Sequence, residues 1–484
     1  MKQTSQARHV VLYELNEVPW EIIDLYVSRH PSSNVAQLVS GGRCQTTVNE
    51  DPNHLSPWVT WPTFHKARYS DEHNSFDLGQ DPSTFRGSSL WDVAEEAGLK
   101  VGLFGPLQSW PPHEFANGGF YVPDTFSRTP ETYPSSLVRF QEFNLAMTHQ
   151  LGFSADAPVE PRAVALAGFD IARKGLTPWS AYWIARQLLS ERGDSRYKAR
   201  RSVAQVLPAF DLYWKLHRRT RPELSIFFTN HVAGMLHRFW GDTFPEYSQQ
   251  YDYEPDEVFG SFVTDAMAVF DHQLGRMLRF ARRAPQTVII VATSMGQAGI
   301  PHDHIAETYV LEDADRLATA LGLGPVERGL AMYPRCSLEF PTTTAAELAV
   351  GALRSVTCES KPLIDKIAVE GCTISFSVRV ELDGCELSRD VRYTAADDPL
   401  AEYKGSIEDI GIITSVRLGG GNTAYHTPEG PFITYGRGIT PDASRERIDV
   451  LSAAPTILES LGISDGAVRL SRPLSSSAVG ADDS

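Results

Sequence analysis

Cysteine is scarce in this sequence, and its spacing matches no common cysteine motif. Five cysteines occur among 484 residues, and none of them belongs to a CxxC pair. Such pairs are typical of zinc ribbons and of thiol–disulfide oxidoreductases, so the sequence argues against both classes. An odd number of scattered cysteines predicts reduced thiols, which is the state expected in the cytoplasm.

Long apolar runs are also missing. A membrane-spanning helix needs about 20 consecutive apolar residues, and the sequence contains no such stretch. Residues 1–8 are mainly polar and lead directly into a strand-like run, a pattern that does not predict a signal peptide. We therefore expect a cytoplasmic protein without a membrane span.

Basic residues are fewer than acidic residues in this sequence. The chain has 44 lysines and arginines against 60 aspartates and glutamates, which gives a formal net charge of −16. Nucleic-acid binding requires a basic footprint, so the composition predicts no nucleic-acid partner. A small anionic substrate is compatible with this charge, because one pocket can be locally positive on an acidic protein. The composition leaves the oligomeric state open.

Short apolar runs rich in β-branched residues alternate along the chain with amphipathic helical segments. Residues 88–98 are one such helical segment, with two serines at the start and Gly98 at the end. This alternation is typical of βαβ units and predicts a three-layer α/β/α fold with a mainly parallel central sheet. The predicted strands are residues 9–16, 44–48, 101–105, 224–228, 287–292 and 431–435.

Changes in composition divide the chain into core segments and insertions. Residues 106–222 are rich in loops and helical patterns, whereas residues 335–420 alternate polar and apolar side chains. We therefore predict a helical cap insertion in the first range and a smaller β-rich subdomain in the second. The core then comprises residues 1–105, 223–334 and 421–474, and residues 475–484 are predicted to form a disordered tail.

The segment SPWVTWPTFH at residues 56–65 lies between a predicted strand and a helical pattern. Pro57 and Pro62 stiffen its backbone and prevent a regular strand. A hydroxyl on such a turn, here that of Thr60, is where an α/β enzyme presents a nucleophile at the carboxyl end of its sheet. The same pattern also fits an ordinary turn in which Thr60 caps a helix.

The order and spacing of several segments resemble the alkaline phosphatase superfamily, most closely its type I phosphodiesterase/nucleotide pyrophosphatase branch. The sequence TWPT at residues 60–63 is similar to the nucleophile turn of that branch, and residues 90–98 are similar to the helix after it. The sequence HTPEG at residues 426–430 is similar to a late histidine motif. Further similar segments are residues 117–120, 133–134 and 454–462.

This resemblance implies a hydrolase that acts on phosphate esters with two divalent cations at the edge of the sheet. In that family the Thr or Ser nucleophile, three aspartates and three histidines hold the cations. Hard oxygen donors and imidazoles suit such ions, which activate the hydroxyl and neutralise charge on the transferred group.

Several ligand positions implied by the resemblance carry side chains that bind cations poorly. Asn16 stands where the family has its first-strand aspartate, and Ser294 and Met295 replace an Asp-His pair. Ala233 stands four residues before His237, where the family has another aspartate. Three carboxylates are thus replaced by neutral side chains, and we predict a degenerate metal site.

Thr60, His237 and His426 keep the residue types that the resemblance implies. The cofactor prediction therefore stays open between one divalent ion, Zn²⁺ or Mn²⁺, held by the two histidines, and no metal at all. The residues that could rebuild a cation site are Glu14, Glu17, His231, Asp303 and the pair His302 and His304.

The candidate site residues fall into two groups, and some of them also have a purely structural interpretation. His231 could be a strand-end histidine bonded to the backbone, His237 could cap a helix face, and Arg238 could belong to a surface salt bridge. Asn230 can replace the missing aspartate only if a short insertion shifts the register. The catalytic candidates are Thr60, His231, His237 and His426. The substrate-binding candidates are Asn16, Thr63, Asn230, Ser294 and Arg238.

Two functional hypotheses follow from these residues. The first is an enzyme that acts on a phosphate or related ester through a metal-poor or metal-free site, either as a phosphodiesterase-like hydrolase or as an atypical transferase. The second is a catalytically inactive homologue that binds a ligand or a partner protein, since a fold alone does not confer activity. We favour the enzyme, with a small anionic molecule as its substrate.

Overall fold

The computed structural model describes residues 9–51, 53, 55–151, 173–302, 307–331, 335–379, 388–416 and 421–470. Within these ranges the helices are α1 (Trp20–Arg29), α2 (Asn34–Gly41), α3 (Pro57–Lys66), α4 (Ser70–His73), α5 (Leu90–Glu96), α6 (Val138–Leu151), α7 (Pro178–Gly193), α8 (Arg201–Thr220), α9 (Ala233–Thr243), α10 (Pro245–Gln250), α11 (Phe262–Arg283), α12 (Ala314–Ala320), α13 (Thr343–Ser355), α14 (Ala453–Ser460) and α15 (Gly466–Leu470).

The strands within the same ranges are β1 (His9–Leu15), β2 (Arg43–Val48), β3 (Val101–Phe104), β4 (Gly119–Val122), β5 (Leu224–Thr229), β6 (Thr287–Ala292), β7 (Gly296–Gly299), β8 (Glu307–Leu311), β9 (Glu327–Arg328), β10 (Arg335–Glu339), β11 (Thr357–Cys358), β12 (Lys361–Pro362), β13 (Ile364–Glu370), β14 (Thr373–Val378), β15 (Asp390–Tyr393), β16 (Tyr403–Ser406), β17 (Ile412–Val416), β18 (Ala424–Thr427), β19 (Glu429–Gly436) and β20 (Asp442–Asp449).

The central sheet has eight strands in the order β20-β2-β19-β6-β1-β5-β3-β4. Strand β1 lies between β5 and β6 and is parallel to both, so that Val10 pairs with Leu224 on one side and with Val288 on the other. Strand β19 alone runs antiparallel to its two neighbours. The strands around β1 are almost continuously apolar and buried, as expected for a parallel sheet that is covered on both faces.

Helices cover the sheet on both faces. Val10 and Leu12 belong to a core cluster with side chains from α3, α5 and α14, including Trp61. Tyr13 points to the opposite face, where its ring lies 5.2 Å from that of Phe270 in α11. Successive side chains of β1 therefore alternate between two cores, one on each face of the sheet. The predicted three-layer α/β/α fold is confirmed.

The segment predicted as a helical cap contributes more to the core than the sequence indicated. Strand β4 is the edge strand of the central sheet and pairs in parallel with β3. Helix α8 packs on the sheet, where Tyr213 lies 4.8 Å from Phe227. The sequence analysis assigned α8 to the cap because a helix that covers a sheet has the same apolar period as a helix in a cap.

The described residues form two compact units. The first contains the central sheet and its helices. The second comprises residues 146–151 and the described residues between Pro301 and Asn422, and it includes the range predicted as a β-rich subdomain. This unit has the small sheets β13-β14-β10-β9 and β12-β11-β15-β16, the pair β17-β8, and helices α12 and α13. It has its own core, to which Leu338, Leu353 and Phe376 contribute.

In the part of the chain that the structure describes, no helix combines the length and the apolar character that crossing a membrane requires. Among the described residues, Cys44, Cys336, Cys358 and Cys372 form no disulfide. Cys385 and the predicted disordered tail, residues 475–484, lie outside the described residues.

Candidate metal centre

The turn that follows β1 carries the first component of the site. Asn16 and Glu17 come directly after the last residue of this strand, at the carboxyl edge of the central sheet. Glu17 has a φ of 58°, a left-handed conformation that non-glycine residues seldom adopt. Backbone strain of this kind is concentrated at functional sites, where the surrounding structure enforces it. The strained turn fixes the direction of the Glu17 side chain.

Three side chains from distant parts of the sequence meet at this edge. The Nε2 atom of His237 in α9 lies 2.9 Å from Oε2 of Glu17, and the Nε2 atom of His426 in β18 lies 3.3 Å from the same oxygen. One donor atom from each of the three residues lies within 4.8 Å of the other two. We call Glu17, His237 and His426 the candidate metal centre.

Backbone carbonyl groups orient both imidazoles. Nδ1 of His237 lies 3.1 Å from the carbonyl oxygen of Ala424, and Nδ1 of His426 lies 2.8 Å from that of Leu55. A carbonyl oxygen only accepts hydrogen bonds, so each Nδ1 carries a proton and each Nε2 is the atom turned toward Glu17. A histidine that binds a metal through one nitrogen commonly donates from the other to a carbonyl or a carboxylate.

Two amide side chains hold the carboxylate of Glu17. Asn16 donates from Nδ2 to Oε1 over 2.7 Å, and Gln297 donates from Nε2 to Oε2 over 2.5 Å. The carboxylate is buried, with 2% of the side chain exposed. Both of its oxygens therefore have fixed directions before any ligand binds.

The two histidines compensate the buried charge of Glu17. Burial alone would raise the pKa of Glu17, but the charges of His426 and His237 outweigh burial and hold this pKa well below its usual range. Burial likewise opposes a charge on His426, yet the Glu17 carboxylate outweighs it and raises the pKa of His426. The pocket therefore stabilises positive charge next to Oε2 of Glu17.

The donor set fits a single divalent transition-metal ion. Two imidazole nitrogens and one carboxylate oxygen are the three protein ligands of a common type of catalytic zinc site, in which a fourth position stays open to water or substrate. The exposed fraction of the His237 side chain is 23%, against 9% for His426 and 2% for Glu17, so the centre is open on the His237 side. No other group of three or more potential ligands of this compactness occurs among the described residues.

Thr60 and Ser294 lie together, as expected if both belong to one site. Their hydroxyl oxygens are 2.8 Å apart, and both side chains are buried. Thr60 lies in the first turn of α3, whose N-cap is Ser56, so the alternative interpretation of Thr60 as the cap is wrong. Met295, at a position where the resemblance implies a histidine, is also buried. With only neutral side chains at residues 60, 294 and 295, this location offers a divalent cation no anionic donor.

Asn16 connects these residues to the candidate metal centre. Its Oδ1 accepts a hydrogen bond of 2.8 Å from Nε1 of Trp61, the residue after Thr60. Its Nδ2 donates to Glu17 and also to Oδ1 of Asn230, over 2.7 Å. Asn16 and Asn230 thus lie at the sheet edge beside Glu17.

His231 and Thr63 have partners away from the candidate metal centre. His231 is buried, with Nδ1 2.6 Å from Thr229 Oγ1 and Nε2 3.1 Å from the Ala266 carbonyl oxygen, and burial lowers its pKa to about 4. This geometry corresponds to the backbone-bonded histidine that the sequence left as an alternative. Thr63 donates toward Asp51 and the carbonyl of Val59, inside the packing of α3.

The remaining candidates have other contacts or lie outside the described residues. Glu14 lies 2.6 Å from Nε2 of His65, and both side chains are buried between β1 and α3. The Arg238 guanidinium lies 4.9 Å from the ring centroid of Phe239. Asp303 and His304 belong to the residues that the structure does not describe. Among those residues proposed for rebuilding a cation site that the structure describes, Glu17 is the one placed with His237 and His426.

Gln297 is a site residue that the sequence analysis missed. It lies on β7 directly opposite His426 on β18, so their side chains are on the same face of this two-stranded sheet. Gly296 allows the close approach, because a Cβ atom there would lie 2.4 Å from the carbonyl oxygen of Glu429. The sequence analysis interpreted Ser294 and Met295 as replacements of an Asp-His pair, and nothing in the pattern after them indicated a short strand.

The sequence matches no family model and no curated protein. Solved structures with similarity along most of the chain include murine ectonucleotide pyrophosphatase/phosphodiesterase 5 in complex with AMP, at 11% identity and a TM-score of 0.37, covering 94% of this chain and 95% of that one. Alkaline phosphatase from the Antarctic bacterium TAB5 has 11% identity and a TM-score of 0.37, with 94% and 98% covered. Phosphonoacetate hydrolase from Sinorhizobium meliloti has 12% identity and a TM-score of 0.38, with 95% and 96% covered.

These likenesses assign neither a family nor an activity. All three TM-scores lie below 0.5. The fold assignment above rests on the strand order and the layers of this chain itself.

Proposed function

We propose that this protein is an enzyme of the alkaline phosphatase superfamily type that cleaves or transfers a phosphate ester or a related ester, with one divalent cation at Glu17, His237 and His426. The observation that carries the proposal is the convergence of these three side chains, with both Nε2 atoms within 3.3 Å of one carboxylate oxygen. Segments that resemble that superfamily and follow one another in its order, from residues 60–63 to residues 454–462, support the same proposal.

Glu17 takes over the role of a carboxylate that the resemblance places elsewhere. The resemblance implies an aspartate at residue 233, four positions before His237, and this residue is alanine. The Gln297 amide lies 3.3 Å from the carbonyl oxygen of Ala233 and 2.5 Å from Glu17 Oε2, so the Glu17 carboxylate lies close to Ala233 in space. A longer acidic side chain from the β1 turn thus supplies the charge that α9 lacks.

The chain's own groups have distinct tasks in this site. A bound divalent ion would polarise the ester and lower the pKa of a water molecule. Glu17 neutralises part of the ion's charge, leaving a net positive site for an anionic ester. The two backbone carbonyls that accept from the Nδ1 atoms fix the imidazoles, and the exposed Asn230 offers an amide beside the opening. Burial of Glu17 keeps bulk water from competing for its oxygens.

Water is a better nucleophile candidate than Thr60 in this arrangement. Thr60 is fully buried, and its hydroxyl is engaged with that of Ser294. A nucleophile must reach the substrate, and it needs an adjacent base or a cation for activation. The described neighbourhood of Thr60 offers a serine hydroxyl instead. The hydroxyl pair then serves to hold α3 against the loop after β6.

The burial of the Thr60 hydroxyl also favours the second candidate function, an inactive homologue that binds a ligand or partner protein. In that case the candidate metal centre would bind a cation or an anionic ligand without turnover. The predictions of a cytoplasmic location and of no nucleic-acid partner rest on composition and stay predictions.

The proposal is tested with purified protein freed of metal and then titrated with Zn²⁺ or Mn²⁺. We expect one bound ion per chain and turnover of a phosphodiester, phosphomonoester or sulfate ester that chelation abolishes. His237→Ala and His426→Ala should each lose ion binding and turnover, whereas Thr60→Val should retain turnover if water attacks. Turnover that is lost in Thr60→Val, with ion binding intact, would identify Thr60 as the nucleophile.

Two other outcomes contradict the proposal. Stoichiometric ion binding without turnover of any ester would favour the ligand-binding homologue. A protein that binds no ion, or that binds two per chain, would show that the three side chains do not form the site described here.

A further inference from the structure

The Gln297 amide has one atom whose role the proposed function does not explain. Its Nε2 is engaged with Glu17 Oε2 over 2.5 Å and with the Ala233 carbonyl oxygen over 3.3 Å. Its Oε1 is buried and has no hydrogen-bond partner among the described residues. The side chain as a whole is 1% exposed. An unsatisfied buried acceptor lowers stability, and such groups are rare in native proteins.

The amide cannot remove this cost by rotating through 180°. That rotation would place Oε1 against the Glu17 carboxylate and the Ala233 carbonyl, which are both acceptors. The network therefore fixes the nitrogen toward Glu17 and leaves the oxygen as the group that needs a donor. Amide bond lengths hold Oε1 roughly 2.2 Å from Nε2, so the oxygen lies within a few ångströms of the candidate metal centre.

The backbone also holds Gln297 in this place. It is opposite His426 in the β7–β18 pair, and its predecessor Gly296 permits the close contact with Glu429. The loop before β18 is tied to α9 as well, because the Thr423 amide donates to the His237 carbonyl over 2.7 Å. Gln297, His237 and His426 are thus parts of one rigid arrangement.

We propose that Gln297 has two tasks in the site: its nitrogen positions the Glu17 carboxylate, and its oxygen accepts a hydrogen bond from an O–H group of the molecule bound beside the cation. The ligand class is a hydroxyl donor, either water or the alcohol of an ester substrate. This inference rests on the proposed function, because it assigns a partner to Gln297 within the same centre. Gln297 touches both the ligand and a cation-binding side chain.

Three variants and one structure test the inference. Gln297→Met removes donor and acceptor at similar volume, and we expect Zn²⁺ affinity, measured by competition with a chromophoric chelator, to fall about 10–100-fold, as for other outer-shell partners of metal ligands. Gln297→Glu keeps an acceptor but turns a carboxylate oxygen toward Glu17 and the Ala233 carbonyl, so it should not restore Zn²⁺ affinity above that of Gln297→Met. Gln273→Met is the matched control: Gln273 is equally buried and contacts Tyr13 in α11 packing, so Zn²⁺ affinity should not change.

A crystal structure of the Zn²⁺-loaded protein provides the direct observation. We expect a water or ligand hydroxyl within hydrogen-bonding distance of both Gln297 Oε1 and the ion. A Zn²⁺-loaded structure in which Oε1 has no donor or coordinates the ion itself would overturn the inference, as would wild-type Zn²⁺ affinity and kcat in Gln297→Met. A wild-type protein that binds no Zn²⁺ would instead overturn the proposed function.

Discussion

Replacing Glu17 by glutamine removes the negative charge from the candidate metal centre while nearly conserving the side-chain volume. The carboxylate is 2% exposed and faces both Nε2 atoms, so its charge cannot be replaced by solvent. In the wild type, the side-chain amides of Asn16 and Gln297 donate to the two carboxylate oxygens. The substitution replaces one of these oxygens by an amide nitrogen, which cannot accept a hydrogen bond from either donor. We expect Glu17→Gln to weaken Zn²⁺ binding more than the loss of an outer-shell partner does, by at least about 100-fold.

The expected effect on stability follows from the linkage between binding and folding. At a free Zn²⁺ concentration of 100 times the wild-type Kd, the bound ion stabilises the folded protein by about 2.7 kcal/mol. At the same concentration a site that is 100-fold weaker gives only about 0.4 kcal/mol. Urea unfolding with and without Zn²⁺ should therefore show a clear shift for the wild type and almost none for Glu17→Gln, and chelator competition should give the two Kd values.

Glu14→Gln is the matched control for this experiment. Glu14 belongs to the same strand end and is also buried, but it contacts His65 instead of the candidate metal centre. Breaking that buried pair should destabilise the metal-free protein and leave the Zn²⁺-dependent shift unchanged. Equal Zn²⁺ affinity in Glu17→Gln and wild type, or an equal loss in both variants, would refute the assignment of Glu17 as a ligand.

Two further predictions concern the frame of the site and its pH dependence. Gly296→Ala should lower stability by about 1–3 kcal/mol and weaken Zn²⁺ binding, because the added Cβ would lie 2.4 Å from the Glu429 carbonyl oxygen. In the control Gly234→Ala, in α9, the added Cβ meets no atom within 4 Å and should not destabilise the protein. Wild-type Zn²⁺ affinity in Gly296→Ala would contradict the prediction. Burial lowers the pKa of His231 from 6.5 to about 4, so the unfolded chain binds the additional proton between these values and stability should fall as the pH drops from 6.5 toward 4. His231→Gln should flatten this part of the urea-unfolding profile, and an unchanged slope would show that His231 does not cause it.

Several elements were predicted from the sequence nearly residue for residue. Strand β6 has the predicted bounds, and β1 ends one residue before the predicted end. These strands are buried on both faces, so their continuous apolar runs identify them directly. Helix α5 was equally clear, since Ser89 and Asp92 form a capping box at its start. The three-layer fold followed from the alternation of such segments.

Other elements could not be predicted because their local patterns are weak. Strands β7 and β18 have four residues each and exist through pairing with one another. Strand β20 alternates exposed and half-buried polar side chains along a sheet edge, a composition that also fits a loop. Its pairing with β2, which is distant in the sequence, makes it a strand.

The sequence by itself determined the fold class, and it placed neutral side chains at residues 16, 233 and 294 and histidines at residues 237 and 426. These properties depend on residue type, apolar periodicity and the order of segments, all of which can be observed along one chain. Only the tertiary structure decided that the Glu17 carboxylate lies beside His237 and His426, that Gln297 donates to it, and that His231 and Thr63 have partners elsewhere. The Glu17 carboxylate lies beside two imidazoles more than 200 positions away in the chain, and that proximity depends on strand pairing and on one strained turn.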